Sequence, residues 1–400
     1  MKEYKLSFFY KNKIIMFIIA LVFLLQTSCY LGENSVFVSM VSMLSYVLCL
    51  VILILYFVDF QISKFSLALL IFTGALIFSS VLSSTGNVIL CITKYLPIVC
   101  LIMYLEKCLI FSYKNCIQVI SNLLLILIFI NFYTIIRYPK GLYLDDLYSN
   151  NWFFKYDNMH SFIYFPGLLL SYLSMKYDKK NIVKFVLVLF MSTYCVYYCR
   201  SANTVVAYTI FLLYLLLKKF MDNIEILNTK NYFITYIILF FSMVIFRIQN
   251  IFDWLIVGIL KKDLTFTGRT IIWNRVIEYI KISPIFGYGI EKGKTITAKL
   301  GNVYYAHAHN TFLDVLYKGG MVGFALFIYL LYIVVKKLYK YKKYSEAKFT
   351  GMIILNILIM TVFEAREDRI GLYIILLFGY YIDKIVQEIY LKNKCEKEGD

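Results

Sequence analysis

Apolar residues in this chain recur in runs of about twenty, the length an α-helix needs to cross the roughly 30 Å hydrocarbon core of a bilayer. The runs fall near 14–31, 36–58, 65–82, 88–105, 117–136, 161–175, 182–198, 201–217, 231–247, 310–335, 349–363 and 370–388, which predicts about twelve spans. Lipid offers backbone N–H and C=O groups no partner, so only helices and closed barrels can span it. A barrel strand shows about ten residues of alternating polarity, and no such alternation occurs here. The expectation is an all-α, polytopic integral membrane protein, residues 1–400 forming a single membrane domain.

The lysine-rich connectors are Lys2 to Lys13, Lys176 to Lys180, Lys218-Lys219, Lys336 to Lys348 and Lys384 to Lys397. With an even number of spans they all fall on one side, which the positive-inside rule makes cytoplasmic, and both termini lie there too. Much of the net charge of +17 is therefore topological. Scattered lysines lack the contiguous basic face of a nucleic-acid-binding protein, so no such partner is expected. The nine cysteines sit mostly within the apolar runs and include no CxxC pair, which reads as packing. Gln26-Thr27-Ser28-Cys29 is similar to a lipoprotein cleavage site, but Gln26 stands where an aliphatic residue is needed, so the first run is read as an uncleaved span.

Two long connectors fall on the outer side, 137–160 and 248–309, and long loops in compact proteins usually carry function. The first holds Tyr138, Tyr143, Asp145, Asp146, Tyr148, Trp152, Tyr156 and Asp157, a mixture suited to stacking on sugars or to an interfacial aromatic belt. In the second, Thr267 is placed to cap a short amphipathic helix that runs to Ile282 and is ended by Pro284. Ile272, Trp273, Val276, Ile277 and Ile280 share its apolar face, opposite Asn274, Arg275, Glu278 and Lys281. Arg269 falls on the apolar side of the first turn, a costly position without an anion beside it.

All three histidines, His160, His307 and His309, and nearly all arginines map to the outer side, whereas lysine dominates the inner one. A planar guanidinium suits bidentate binding of phosphate oxygens, so the segregation points to an outward-facing phosphate or diphosphate site. Arg200, between two apolar runs, either joins that site or snorkels at a span end. Arg366 and Arg369 either bind substrate or pair with the acids around them in Glu364-Ala365-Arg366-Glu367-Asp368-Arg369. Two histidines without a third well-spaced ligand make weak evidence for metal, and none is expected. His309 followed by Asn310 at a span mouth is better placed for proton transfer or hydroxyl binding, and Glu364 is the next candidate base. If the span helix already begins at the histidines, His307 leaves the active face. No P-loop, Rossmann fingerprint or GxSxG elbow occurs, so no cofactor is expected and the energy for chemistry must come from the substrate.

Arg200-Ser201 entering a span, Thr267-Gly268-Arg269 with Trp273, Ser283 to Gly289, Ala308-His309-Asn310-Thr311-Phe312-Leu313 and Lys318-Gly319-Gly320-Met321-Val322-Gly323 follow one another in order. Over about residues 190–335 this resembles the O-antigen polymerase and O-antigen ligase superfamily of bacterial membrane enzymes. The resemblance implies a glycosyltransferase at the outer face of the cytoplasmic membrane, acting as a polymerase on polyprenyl-diphosphate-linked oligosaccharide. A ligase-type transferase and a non-catalytic exporter, or flippase, are the alternatives. It implies that Arg200 and Arg269 hold the diphosphate with Arg275 in support, and that His309 meets the acceptor hydroxyl as candidate base. Asn310, Glu364 and Arg366 are further candidate substrate-binding residues, and Ala202-Asn203 departs from the glycine-rich form of the first motif. Membrane lipid, a chain-length regulator and a flippase of the same pathway are the candidate partners.

Overall fold

The computed structural model describes residues 9–30, 32, 36–58, 61–143, 150–248, 268–301 and 307–398. Each expected apolar run falls on a helix. The first half comprises α1 (Lys13–Ser28), α2 (Val36–Val58), α3 (Lys64–Leu82), α4 (Val88–Phe111), α5 (Tyr113–Arg137), α6 (Asp157–Tyr177), α7 (Ile182–Cys199), α8 (Ala202–Leu216) and α9 (Thr229–Phe240). The second comprises α10 (Arg269–Ile282), α11 (Gly293–Leu300), α12 (Thr311–Lys340), α13 (Ser345–Val362), α14 (Ile370–Tyr380) and α15 (Ile382–Glu398). Many begin where a polar residue can accept from the first free N–H groups: Asn12, Ser63, Asn87 and Ser112 do so for α1, α3, α4 and α5.

The protein is an all-α, multi-pass membrane protein, but the expected count of about twelve spans is not met by length and composition alone. Among the described residues, 7 helices are long and apolar enough to cross, and 8 if α14 and α15, bent by 56°, are one broken span. Helices α1, α8 and α9 fall short of a full span. Helix α6 is long enough but carries Asn158, His160, Ser161 and Pro166, which dilute its hydropathy. It can carry them because it is buried in protein along most of its length. Helices α13 and α14 are likewise interior, whereas α2 turns Val36, Phe37, Met40, Met43 and Leu50 outward, as a lipid-facing helix would.

Helix α10 starts at Gly268, whose φ of 82° closes the turn, rather than at a threonine cap; Thr267 lies outside the described residues. Its predicted apolar face holds: Ile272, Trp273 and Val276 are buried while Asn274, Arg275 and Glu278 are exposed. The turn after α10 is built into a break in α12. At Gly320 (φ 59°, ψ −160°) the α12 backbone leaves helical geometry, and Met321 and Val322 donate to the carbonyls of Pro284 and Ile285 at 2.8 and 3.2 Å. In return, Tyr288 and Gly289 donate to Tyr317 and Lys318 at 2.9 and 2.8 Å. The groups left unpaired by the break are thus satisfied by the inserted segment. Side chains at Gly287 or Gly320 would collide with the opposing backbone, so these glycines serve close approach.

In the connector 137–160, Asp145, Asp146 and Tyr148 lie outside the described residues. Next to them, Asn151–Trp152 and Lys155–Tyr156 form a two-residue antiparallel ladder. Trp152 is not presented for sugar stacking: it is buried, and its indole N–H donates to Tyr138 O at 2.8 Å. Several lysine-bearing connectors meet one another through Lys176 with Glu346 at 3.5 Å, Lys348 with the Asp222 carbonyl, and Lys337 with Asp383 at 2.6 Å.

Candidate active site

The start of α12 is fixed from three directions. Asn310 Oδ1 accepts from Leu313 N at 2.9 Å as an N-cap, while its Nδ2 donates to Val362 O at 2.8 Å, joining the helix to the end of α13. Thr311 Oγ1 donates to Glu364 O at 2.9 Å and accepts from Arg366 N at 3.0 Å. Asp314 accepts from Ala308 N at 2.9 Å. These bonds hold His309 with φ 49°, a left-handed conformation uncommon outside glycine. The helix begins after the histidines, not at them. His307 therefore does not leave the active face: its ring lies 3.9 Å from that of His309, and its Nδ1 accepts from His309 N at 3.1 Å.

Glu364 organises the charges beside this turn. Its Oε1 accepts from Arg269 at 3.1 Å and from Asn158 Nδ2 at 2.9 Å, and its Oε2 accepts from Arg366 at 2.5 Å. Arg366 also donates to Tyr156 OH at 2.7 Å. Glu364 is thus the anion that the inward placement of Arg269 requires. Asn158 Oδ1 accepts from Ser201 Oγ, so the residue next to Arg200 is tied to the same hub. Arg200 itself ends α7 in a left-handed conformation, φ 56°, and its exposed guanidinium has no ion pair among the described residues. Asn203, where the glycine-rich form of the motif is lost, donates to Met360 O at 2.9 Å and pins α8 to α13.

Burial pushes the His309 imidazole down to about 4, with Arg269 and Arg366 adding to the effect and Glu364 opposing it. Burial also holds His307 well below its ordinary value, reinforced by His309. Both rings are neutral at pH 7, and His309 Nδ1 is buried with no hydrogen-bond partner. A neutral imidazole beside guanidinium groups can take a proton from a hydroxyl on its free nitrogen while the cations hold an anion. Beneath the turn, Lys318 pairs with both Asp314 and Glu367. A cavity of about 350 Å³ is lined there by His307, Lys318, Arg366, Asp368 and Arg369.

Glu364 supplies what the histidine pair lacks in the sequence: His307, His309 and Glu364 place their donor atoms within 4.8 Å of one another. Three such groups can ligate a metal ion. Here, however, Glu364 is already bonded to two guanidiniums, whose positive charge a divalent cation would have to displace. The donor set fits proton handling and anion binding better.

Two of the expected residues make bonds within the scaffold. Arg275 donates to Leu300 O at the end of α11. Asn310 has its side chain committed at both ends, as cap and as tie. Arg369 pairs with the adjacent Asp368 at 3.1 Å. His160, with Nε2 to Lys155 O at 3.0 Å, packs among Trp152, Phe154 and Tyr164. Neither Asn158 nor Lys318 is among the candidate substrate-contacting residues that the sequence offers. The only sequence signal for Asn158 is its place in the polar start of an apolar run, and Lys318 is marked by a positive charge four residues from Asp314 inside one.

Residues 183–328 match the family described as O-Antigen ligase, a stretch that contains Arg200, Arg269 and His309 but not Glu364 or Arg366. A segment of 82 residues is 35% identical to the exopolysaccharide production protein ExoQ of Rhizobium meliloti (strain 1021), covering 18% of this chain and 19% of that protein. Both likenesses, each over part of the chain, support the O-antigen ligase and polymerase superfamily.

Proposed function

We propose, on the premise that residues 183–328 are an O-antigen ligase-type region, that this protein is a repeat-unit polymerase. It would move a growing glycan from polyprenyl diphosphate to a hydroxyl of the next lipid-linked oligosaccharide at the outer face of the cytoplasmic membrane. The observation that carries the reading is the convergence of the unpartnered His309 Nδ1 with Arg269 and Arg366 around Glu364. That the 35%-identical protein is named for exopolysaccharide production favours a polymer-forming role over other lipid-linked transfers.

In the proposed reaction, His309 Nδ1 accepts the proton of the acceptor hydroxyl as its oxygen attacks the anomeric carbon of the donor. The bond from that carbon to the diphosphate oxygen breaks, and its electron pair leaves with polyprenyl diphosphate. Charge grows on the departing group, so Arg269 and Arg200 stabilise the transition state more than the bound substrate. Glu364 presets Arg269 and Arg366, and little reorganisation is then needed as charge moves. No cofactor enters this scheme.

The test is to extract lipid-linked glycans from cells with and without the gene. A polymerase predicts that its loss leaves a single repeat unit on the lipid. Finished polymer stranded on its lipid carrier would instead identify a ligase-type transferase, and repeat units confined to the inner leaflet would identify an exporter.

A further inference from the structure

A second cavity lies away from the histidines. It is a groove of about 810 Å³ at the far end of α12, where Lys336, Lys337 and Lys340 meet Lys64 at the start of α3 and Tyr380 at the bend between α14 and α15. From the break at Gly320 to Lys340 the chain runs roughly 20 helical residues, about 30 Å, which is one hydrocarbon thickness. The groove and the histidine turn therefore sit at opposite faces of the membrane.

Its lining divides by chemistry. Four lysines face one carboxylate, Asp383, which pairs with Lys337 at 2.6 Å. Among the described residues Lys64, Lys336 and Lys340 have no carboxylate partner and are exposed. Lys336 lies 5.8 Å from the Tyr332 ring centre and Lys337 lies 5.5 Å from that of Tyr380, so both ammonium groups stand within cation–π reach of rings that line the groove. Tyr329 and Ile333 add apolar wall to the same lining. A free phosphate would use only the lysines, whereas a diacyl lipid would use both, with its headgroup among the lysines and its chains along the wall.

We propose that this groove binds the headgroup of an anionic phospholipid in the leaflet opposite the histidine turn. Each unpaired lysine near an anionic headgroup contributes ~1 kcal/mol, about fivefold in affinity. The site would hold the α14–α15 bend, α12 and α3 together through a lipid. It requires nothing of the proposed glycan transfer, and its test does not read that activity.

The full chain, purified in detergent, would be titrated with phosphatidylglycerol or phosphatidylcholine and followed by native mass spectrometry. The expected result is a retained phosphatidylglycerol adduct, weakened about fivefold by each of Lys64→Gln, Lys336→Gln and Lys340→Gln and kept by the corresponding arginine variants. Lys343→Gln, on the connector beyond the groove, should leave it unchanged, and unaltered thermal melting would show that all variants fold. Equal retention of phosphatidylcholine, equal loss in the Lys343 variant, or displacement of the lipid by millimolar inorganic phosphate would each overturn the proposal.

Discussion

At the scale of single residues, the site is decided by which charges are already answered. Arg269 was legible as an anomaly, a guanidinium on the apolar side of an amphipathic helix, but its partner Glu364 lies 95 residues away and no periodicity links them. If the guanidinium fork matters, Arg269→Lys keeps charge but loses the planar donors. Both Arg269→Lys and Arg200→Lys should lower the initial polymerisation rate by about 10²–10³ at normal expression. Normal polymer from the two variants would remove the diphosphate role. His309 gives a second expectation with a definite sign. Its folded value, about 4, lies below the ordinary 6.5, so the unfolded chain takes up more protons between those values. Stability is then complete above about pH 6.5 and declines as pH falls toward 4. His309→Gln should melt with less acid sensitivity between pH 7 and pH 5 while losing about 10²–10⁴ in rate. A variant with near-normal rate and the wild-type pH profile would exclude His309 as base and leave Glu364 as the next candidate.

At the scale of elements, hydrophobic periodicity found the helices because it records which face meets water or lipid, and it placed Ile272, Trp273 and Val276 of α10 inside. It could not show that Ser283 to Gly289 and the Gly319-Gly320 pair are two halves of one joint, because that joint is made of backbone hydrogen bonds between distant segments. Nor could it separate spans from interior helices such as α6, whose polar residues are tolerated by protein neighbours rather than by lipid. The joint carries its own prediction. Gly320→Ala adds a Cβ against the Ile285 carbonyl at a φ of 59° and should cost ~1–3 kcal/mol, read as a lower melting temperature. Gly74→Ala in α3, where a Cβ meets nothing within 4 Å, should be neutral or slightly stabilising. Equal melting of the two variants would show that the joint bears no load.

At the scale of the whole molecule, the lysine connectors and the histidine turn define two ends. Contacts such as Lys176 with Glu346 and Lys337 with Asp383 gather one set of connectors, while Ser201, Asn158, Arg269 and Glu364 join junctions of the other. The positive-inside rule predicts that the lysine connectors are cytoplasmic. With native cysteines replaced, a cysteine at Lys292 should react with an impermeant thiol reagent in intact cells, and one at Tyr341 should not. Labelling of Tyr341→Cys from outside would invert the assignment and place the histidine turn in the cytoplasm.

The break at Gly320 also divides α12 into two halves. Above it, Tyr317 and Lys318 accept from Tyr288 and Gly289; below it, Met321 and Val322 donate to Pro284 and Ile285, so the inserted segment splints both halves of the helix across the glycine. A shift of this segment, which directly follows α10, would therefore pull on both halves at once, coupling the histidine turn to the arginine helix and to the lower half of the span alike.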